Sequence, residues 1–171
     1  MKKILFLLAL LCCSAFPLVA ANDSAPVAQA KSAENWKKLF GNDLFDAKGK
    51  KVSVANALKS RKYVGIYSSA SWCGPCRIFT PKLLEFAKKN KGKIDIVLLG
   101  FHWTKEDVCE YMKKYKMPWP GTYRTENVEA FVTRHRIEGI PDFKVFTHAG
   151  ELVINDGYDL SIVQRLLDGK Q

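Results

Sequence analysis

The segment Trp72-Cys73-Gly74-Pro75-Cys76 separates two thiols by two residues. It follows an apolar run, Tyr63-Val64-Gly65-Ile66-Tyr67, and precedes an amphipathic one, Arg77 to Lys89, so the pair falls at a strand-to-helix turn. A helix that begins at or beside Cys73 sets its sulfur among unpaired backbone N–H groups at the positive end of the helix dipole, which lowers the thiol pKa. Cys73 is therefore the expected attacking sulfur. Cys76, one turn further on and more buried, is placed to attack a mixed disulfide at Cys73 and release a reduced substrate. A lone C-x-x-C is also half of many zinc sites, but a zinc site wants a second Cys or His pair, and Cys109, His102, His135 and His148 are scattered singly. The spacing thus reads as a two-electron dithiol switch.

Such a switch needs a scaffold, and the flanking sequence supplies one. Tyr63 to Ser68 is the strand before the thiols. In the helix after them Ile78, Leu83, Leu84 and Phe86 are expected to face the core and Lys82, Glu85, Lys88 and Lys89 the solvent, with a kink at Pro81. Ile94 to Gly100 is a nearly unbroken apolar run, as expected of a central parallel strand buried on both faces. Thr104 is an N-cap for a helix to about Tyr115, ended by Met117-Pro118-Trp119-Pro120-Gly121. Val128 to His135 is a further helix. Gly139-Ile140-Pro141 then leads into a strand over Phe143 to Thr147, a turn at His148-Ala149-Gly150, a strand over Glu151 to Asn155, and a helix capped by Asp159 and running to Leu167. Upstream, Leu44-Phe45-Asp46 and Val52-Ser53-Val54 flank the turn Ala47-Lys48-Gly49 as a short N-terminal hairpin, and Ala55 to Lys59 forms one helical turn. The order predicts an α/β fold with a central mixed sheet and helices on both faces.

The N-terminus reads as an export signal: Lys2 and Lys3, the apolar stretch Ile4 to Leu11, and the small-residue site Val19-Ala20-Ala21. Cleavage after Ala21 is expected, with an uncleaved signal acting as a membrane tether the lesser alternative, and a bulky Leu11 before Cys12 argues against lipidation. Residues 22–35 are read as a flexible linker, Ala-rich and polar through Ser32, and residues 36–171 as the domain. Cys12 and Cys13 leave with the signal, so three of the five cysteines remain, too few for a disulfide framework. The formal charge falls from +10 to +8 as Lys2 and Lys3 are lost. The lysines are spread over turns and helix faces with no aromatic-interleaved basic patch, so nucleic acid is not an expected partner and the charge is read as solubility with some steering of acidic clients.

Ser69-Ala70-Ser71-Trp72-Cys73-Gly74-Pro75-Cys76-Arg77, Phe79-Thr80-Pro81-Lys82-Leu83, Met117-Pro118-Trp119 and Gly139-Ile140-Pro141 together resemble the tryparedoxin and nucleoredoxin branch of the thioredoxin fold, over about residues 40–168. The resemblance implies that Pro141 is a cis-proline beside the reactive disulfide and that the Ile140 backbone pairs with an extended client segment. It also implies that Trp72, Gly74 and Pro75 lie on the client surface. Two positions depart from thioredoxins proper. Tyr67 stands six residues before Cys73, where those proteins carry a buried acid, so the proton acceptor for Cys76 is left unassigned. Asp142 follows Pro141 where a small hydroxyl residue is usual. Its carboxylate either raises the thiol pKa or points into solvent.

Phe101, Trp103 and Trp119 are further candidates for apolar client contact, with the core as their alternative place, and Arg77 a candidate source of positive potential. His102 lies past the end of a central strand, and Cys109 reads as a bystander. The function expected is an exported, periplasmic or extracellular, monomeric thiol-disulfide oxidoreductase. It reduces disulfide-containing client proteins, needs no cofactor and is recharged by a membrane thiol donor. A disulfide oxidase or isomerase on the same scaffold, or a Cu(I)-handling module using both thiols, are the rival readings.

Overall fold

Two parallel strands, β1 (Tyr63–Ser69) and β2 (Ile94–Gly100), are adjacent strands in the middle of a five-stranded sheet. Both are buried almost end to end, as their unbroken apolar character requires. The computed structural model describes residues 33–59 and 62–170. The signal expected over residues 1–21 and the linker as far as Ser32 lie outside the described residues. The short strand β3 (Gly121–Thr122) extends the sheet beside β2 in parallel, while β4 (Asp142–Thr147) and β5 (Leu152–Ile154) extend it antiparallel beyond β1, giving the order β3-β2-β1-β4-β5.

The pleat of β1 divides its residues between two cores. Tyr63 and Tyr67 face one layer with Phe79, Leu83, Val108, Tyr111 and Phe143, built by α3 (Gly74–Lys89), α4 (Lys105–Tyr115) and α6 (Leu160–Leu167). Val64 and Ile66 face the other with Trp36, Phe40, Phe131 and Phe146, built by α1 (Trp36–Phe40), α2 (Val54–Ala57) and α5 (Glu126–Arg134). Gly65 is needed where it stands, because a Cβ there would lie 2.7 Å from the Phe143 ring. Side-chain caps start the helices: Asn35, Ser53, Thr104, Thr125 and Asp159 each accept a hydrogen bond from a backbone amide two or three residues on.

Several expectations are corrected. Ile78 is 63% exposed, and the inward stripe of α3 is instead Cys76, Phe79, Thr80, Leu83 and Phe86. The helix starts at Gly74, beside Cys73 as expected, and Cys76 is its first buried residue. The N-terminal hairpin shrinks to a single antiparallel bridge, Phe45 with Lys51, closed by the expected turn, because Ser53 and Val54 are drawn into the cap and first turn of α2. The expected linker ends too late. Glu34 is buried: its amide donates to Gly150 O at 2.7 Å, and its carboxylate accepts from Arg134 Nε at 2.8 Å, Arg134 Nη2 at 3.0 Å and His135 Nε2 at 2.6 Å. Gly150, at φ +96°, makes this approach possible, since a Cβ would collide with the Glu34 backbone. The helix α1 and the strand β3 have no counterpart in the sequence reading.

Candidate active site

The chain leaves β1 at Ser69, passes through buried Ala70 and turns at Ser71-Trp72 into α3. Cys73 is the N-cap of that helix, with extended backbone (φ −78°, ψ 114°), and its sulfur accepts the Cys76 amide at 3.1 Å. Pro75 in the first turn costs nothing there, since its missing N–H would have no helical partner. Cys73 and Cys76 are joined as a disulfide with Cα atoms 5.2 Å apart. Cys76 is wholly enclosed and Cys73 nearly so. In the reduced form that amide would hydrogen-bond a thiolate at Cys73.

Across the turn, the Ile140–Pro141 peptide is cis, and the Ile140 carbonyl oxygen lies 3.5 Å from Cys73 Sγ. Ile140 and Phe101 pack against the small cluster of Ala70, Cys73 and Cys76. Trp72, directly before Cys73, is 65% exposed and gives the disulfide an apolar, solvent-facing neighbour, while Trp103, two residues after Phe101, is 87% exposed. Arg124 lies over the rings of Phe101 and Trp103, at 5.3 and 5.9 Å, while it is ion-paired with Glu129. Trp119 is not part of this surface. It is buried in the main core and lines a separate groove. Arg77 is exposed.

Under Cys76 the structure joins four hydroxyls that the sequence kept apart. Tyr67 Oη is 2.8 Å from Thr80 Oγ1 and accepts from Ser69 Oγ at 2.9 Å; Tyr111 Oη is 2.9 Å from Ser69 Oγ and 2.7 Å from Thr80 Oγ1. Thr80 also donates to the Cys76 carbonyl at 2.8 Å. The ring ties β1 to α3 and α4. Burial, with Tyr111 as a smaller contributor, holds the Tyr67 hydroxyl far above the ordinary tyrosine pKa, so it stays neutral and cannot act as the base that the sequence lacks at this position. Tyr111 was missed in the sequence. Its placement on the apolar side of α4, three residues after Val108, was the available signal.

His102 is buried and works one step away from the sulfur. Its Nε2 is 3.0 Å from the Ser71 amide nitrogen and 3.0 Å from Ser71 Oγ. An amide can only donate, so Nε2 is the acceptor and the ring proton sits on Nδ1, which has no partner among the described residues. Burial lowers the pKa of His102, with Asp107 opposing, so the neutral ring that holds the Ser71-Trp72 turn is favoured. Asp142 does not point into solvent. It pairs with buried Lys144 at 2.9 Å, and Lys144 also reaches the Asn155 carbonyl at 2.9 Å. Burial raises the Asp142 pKa against the opposing effect of Lys144. Cys109 is buried, with its thiol raised by burial. No group of His, Cys, Asp or Glu among the described residues is arranged to hold a metal ion.

The strand order, the capped dithiol and the cis-proline beside it define a thioredoxin fold. The chain belongs to the thioredoxin-like family, whose model matches residues 60–152, more than half of the 171 residues. It is 36% identical to Xenopus laevis nucleoredoxin over 100 residues, 56% of this chain and 24% of that protein. It is 43% identical to tryparedoxin of Trypanosoma brucei brucei over 60 residues, 34% of this chain and 40% of the relative. The chain thus spans about a quarter of that nucleoredoxin's length. Among solved structures, native tryparedoxin I from Crithidia fasciculata superposes with a TM-score of 0.60 at 30% identity, covering 77% of this chain and 91% of that one. Thioredoxin from Wuchereria bancrofti gives 0.63 at 27% identity, covering 74% and 94%.

Proposed function

We propose that the protein is an exported thiol-disulfide oxidoreductase that reduces disulfides in client proteins, with Cys73 attacking and Cys76 resolving. The observation that carries this reading is the pairing of a helix-capping Cys73, its sulfur already met by an amide N–H, with a wholly buried Cys76 behind it. The Cys73 thiolate attacks one client sulfur, forming a mixed disulfide and expelling the other client sulfur as a thiolate. Cys76, deprotonated, then attacks the Cys73 sulfur and expels the second client thiolate. Two electrons pass to the client, and the protein is left as the Cys73–Cys76 disulfide. The Ile140 backbone beside cis Pro141 pairs with an extended client segment, while Trp72, Gly74 and Pro75 form the rim over which it approaches. Turnover requires a thiol donor to restore the dithiol. For an exported reductant this donor is membrane-bound, because an oxidising compartment does not supply electrons.

A redox titration in glutathione and dithiothreitol buffers, read by Trp fluorescence, together with insulin reduction by Cys73→Ser and Cys76→Ser, tests the reading. A midpoint near about −270 mV supports a reductase, whereas one near about −120 mV makes the protein an oxidant. Cys73→Ser is expected to abolish turnover, and Cys76→Ser to trap client as a mixed disulfide. A Cys73–Cys76 pair that does not interconvert reversibly between dithiol and disulfide would remove the assignment.

A further inference from the structure

Several of the lysines that look scattered along the sequence gather at one end of the fold. β1 and β2 run parallel and both finish at the disulfide end, so the segments that precede them lie at the other end, roughly 20 Å of strand away. Lys59 precedes β1, Lys88 lies in the last turn of α3, Lys91 lies in the turn into β2 and Lys116 caps the end of α4, and all four are exposed. They rim a groove of about 810 Å³ with an apolar floor that includes Leu84, Ile94, Ile96, Tyr115 and Trp119. Lys89, Lys93, Lys113 and Lys114 adjoin them on the same segments, with Lys93 paired to Asp168 at 2.9 Å. Glu85 and Asp95 are the acids of the groove, so four ammonium groups stand against two carboxylates. Trp119 keeps a buried indole N–H with no partner among the described residues.

We propose that this groove docks an acidic segment of a partner protein, in which carboxylates flank an apolar anchor, at the end of the molecule opposite Cys73. Charge complementarity selects the carboxylates, because the rim carries excess positive charge in a setting where surface potential steers association. The floor selects the anchor. A concave apolar surface of this size takes an inserted side chain. A flat anionic membrane would meet the lysines and leave the floor unfilled. A partner held here leaves the disulfide end free, and being tethered raises its effective concentration at the thiols without further contacts.

Fluorescence anisotropy of the full chain with a short labelled peptide, glutamates flanking a phenylalanine, tests the proposal without any redox step. Lys88→Glu with Lys91→Glu is expected to weaken binding about tenfold or more, while Lys48→Glu with Lys50→Glu, an equal charge change on an exposed loop elsewhere, leaves it within about twofold. Replacing the peptide phenylalanine by serine should also weaken binding, and reducing the disulfide should not alter it. Equal losses in the two double variants, a loss on Trp72→Ala, no binding of the peptide, or binding only to phosphatidylserine vesicles would each overturn the proposal.

Discussion

Two buried polar clusters sit on opposite faces of the sheet and are built from different chemistry. Beneath Cys76, Tyr67, Ser69, Thr80 and Tyr111 form a ring of neutral hydroxyls. On the face covered by α1 and α5, Glu34 is held by Arg134 and His135, beside Gly150 at the end of the sheet away from the disulfide. A charge within a few ångströms of a thiol moves its pKa by whole units, whereas hydroxyls supply directional bonds with little field. The ring therefore fixes α3 against β1 and α4 while leaving the sulfur electrostatics to the helix terminus. The charged cluster fastens the N-terminal segment beside the start of β1, with the length of that strand, well beyond a Debye length, between it and the thiols.

The largest test of this contrast is Glu34→Ala, which removes the carboxylate shared by Arg134 and buried His135. It should lower stability by about 3–5 kcal/mol, seen as a shifted urea midpoint, while the activity of the folded fraction is unchanged. A change in that activity would break the separation. Tyr67→Phe removes one hydroxyl and should cost about 1–3 kcal/mol, with the Cys73 thiolate titration, read by thiolate absorbance, left where it was; a moved titration would give the ring an electrostatic role.

Smaller effects sharpen the picture. The folded pKa of His102 is depressed, so its contribution is full above about 6.5, the unfolded value, and declines as pH falls below it, where only the unfolded chain takes up the proton. In urea titrations across that range, His102→Asn should flatten the decline while keeping an acceptor for the Ser71 amide. For Asp142 the folded pKa is raised, so its penalty grows as pH rises from the unfolded value toward the folded one. The smallest change in stability, within about 0.5 kcal/mol, is expected for Trp72→Ala, since the ring is 65% exposed. The same variant should raise KM for insulin without lowering kcat comparably, which separates a client-contact role from a packing one.

Strongly periodic or punctuated stretches were readable in the sequence. The strand Ile94–Gly100 and the caps Thr104 and Asp159 stand where the residues put them, and the cis bond at Pro141 stands where the family resemblance implied it. The phase of α3 was also recoverable in principle, because counting from Cys76 as the first inward residue gives Phe79, Thr80, Leu83 and Phe86 at spacings of three and four. What stayed hidden depends on distant partners or on very short elements. Glu34 meets Arg134 and His135 about a hundred positions away, Tyr111 reaches Ser69 across two elements, and β3 is two residues long. The lysine end is of the same kind, since only the parallel run of β1 and β2 brings Lys59, Lys88 and Lys91 together.

That polarity of amines has a practical side. An amine-reactive support that captures the chain by its lysine end would present the Cys73–Cys76 disulfide outward to solution. Exposed lysines elsewhere, Lys48 and Lys50 among them, would compete for the support, so the active share of immobilised protein reads how far the clustered amines set the orientation.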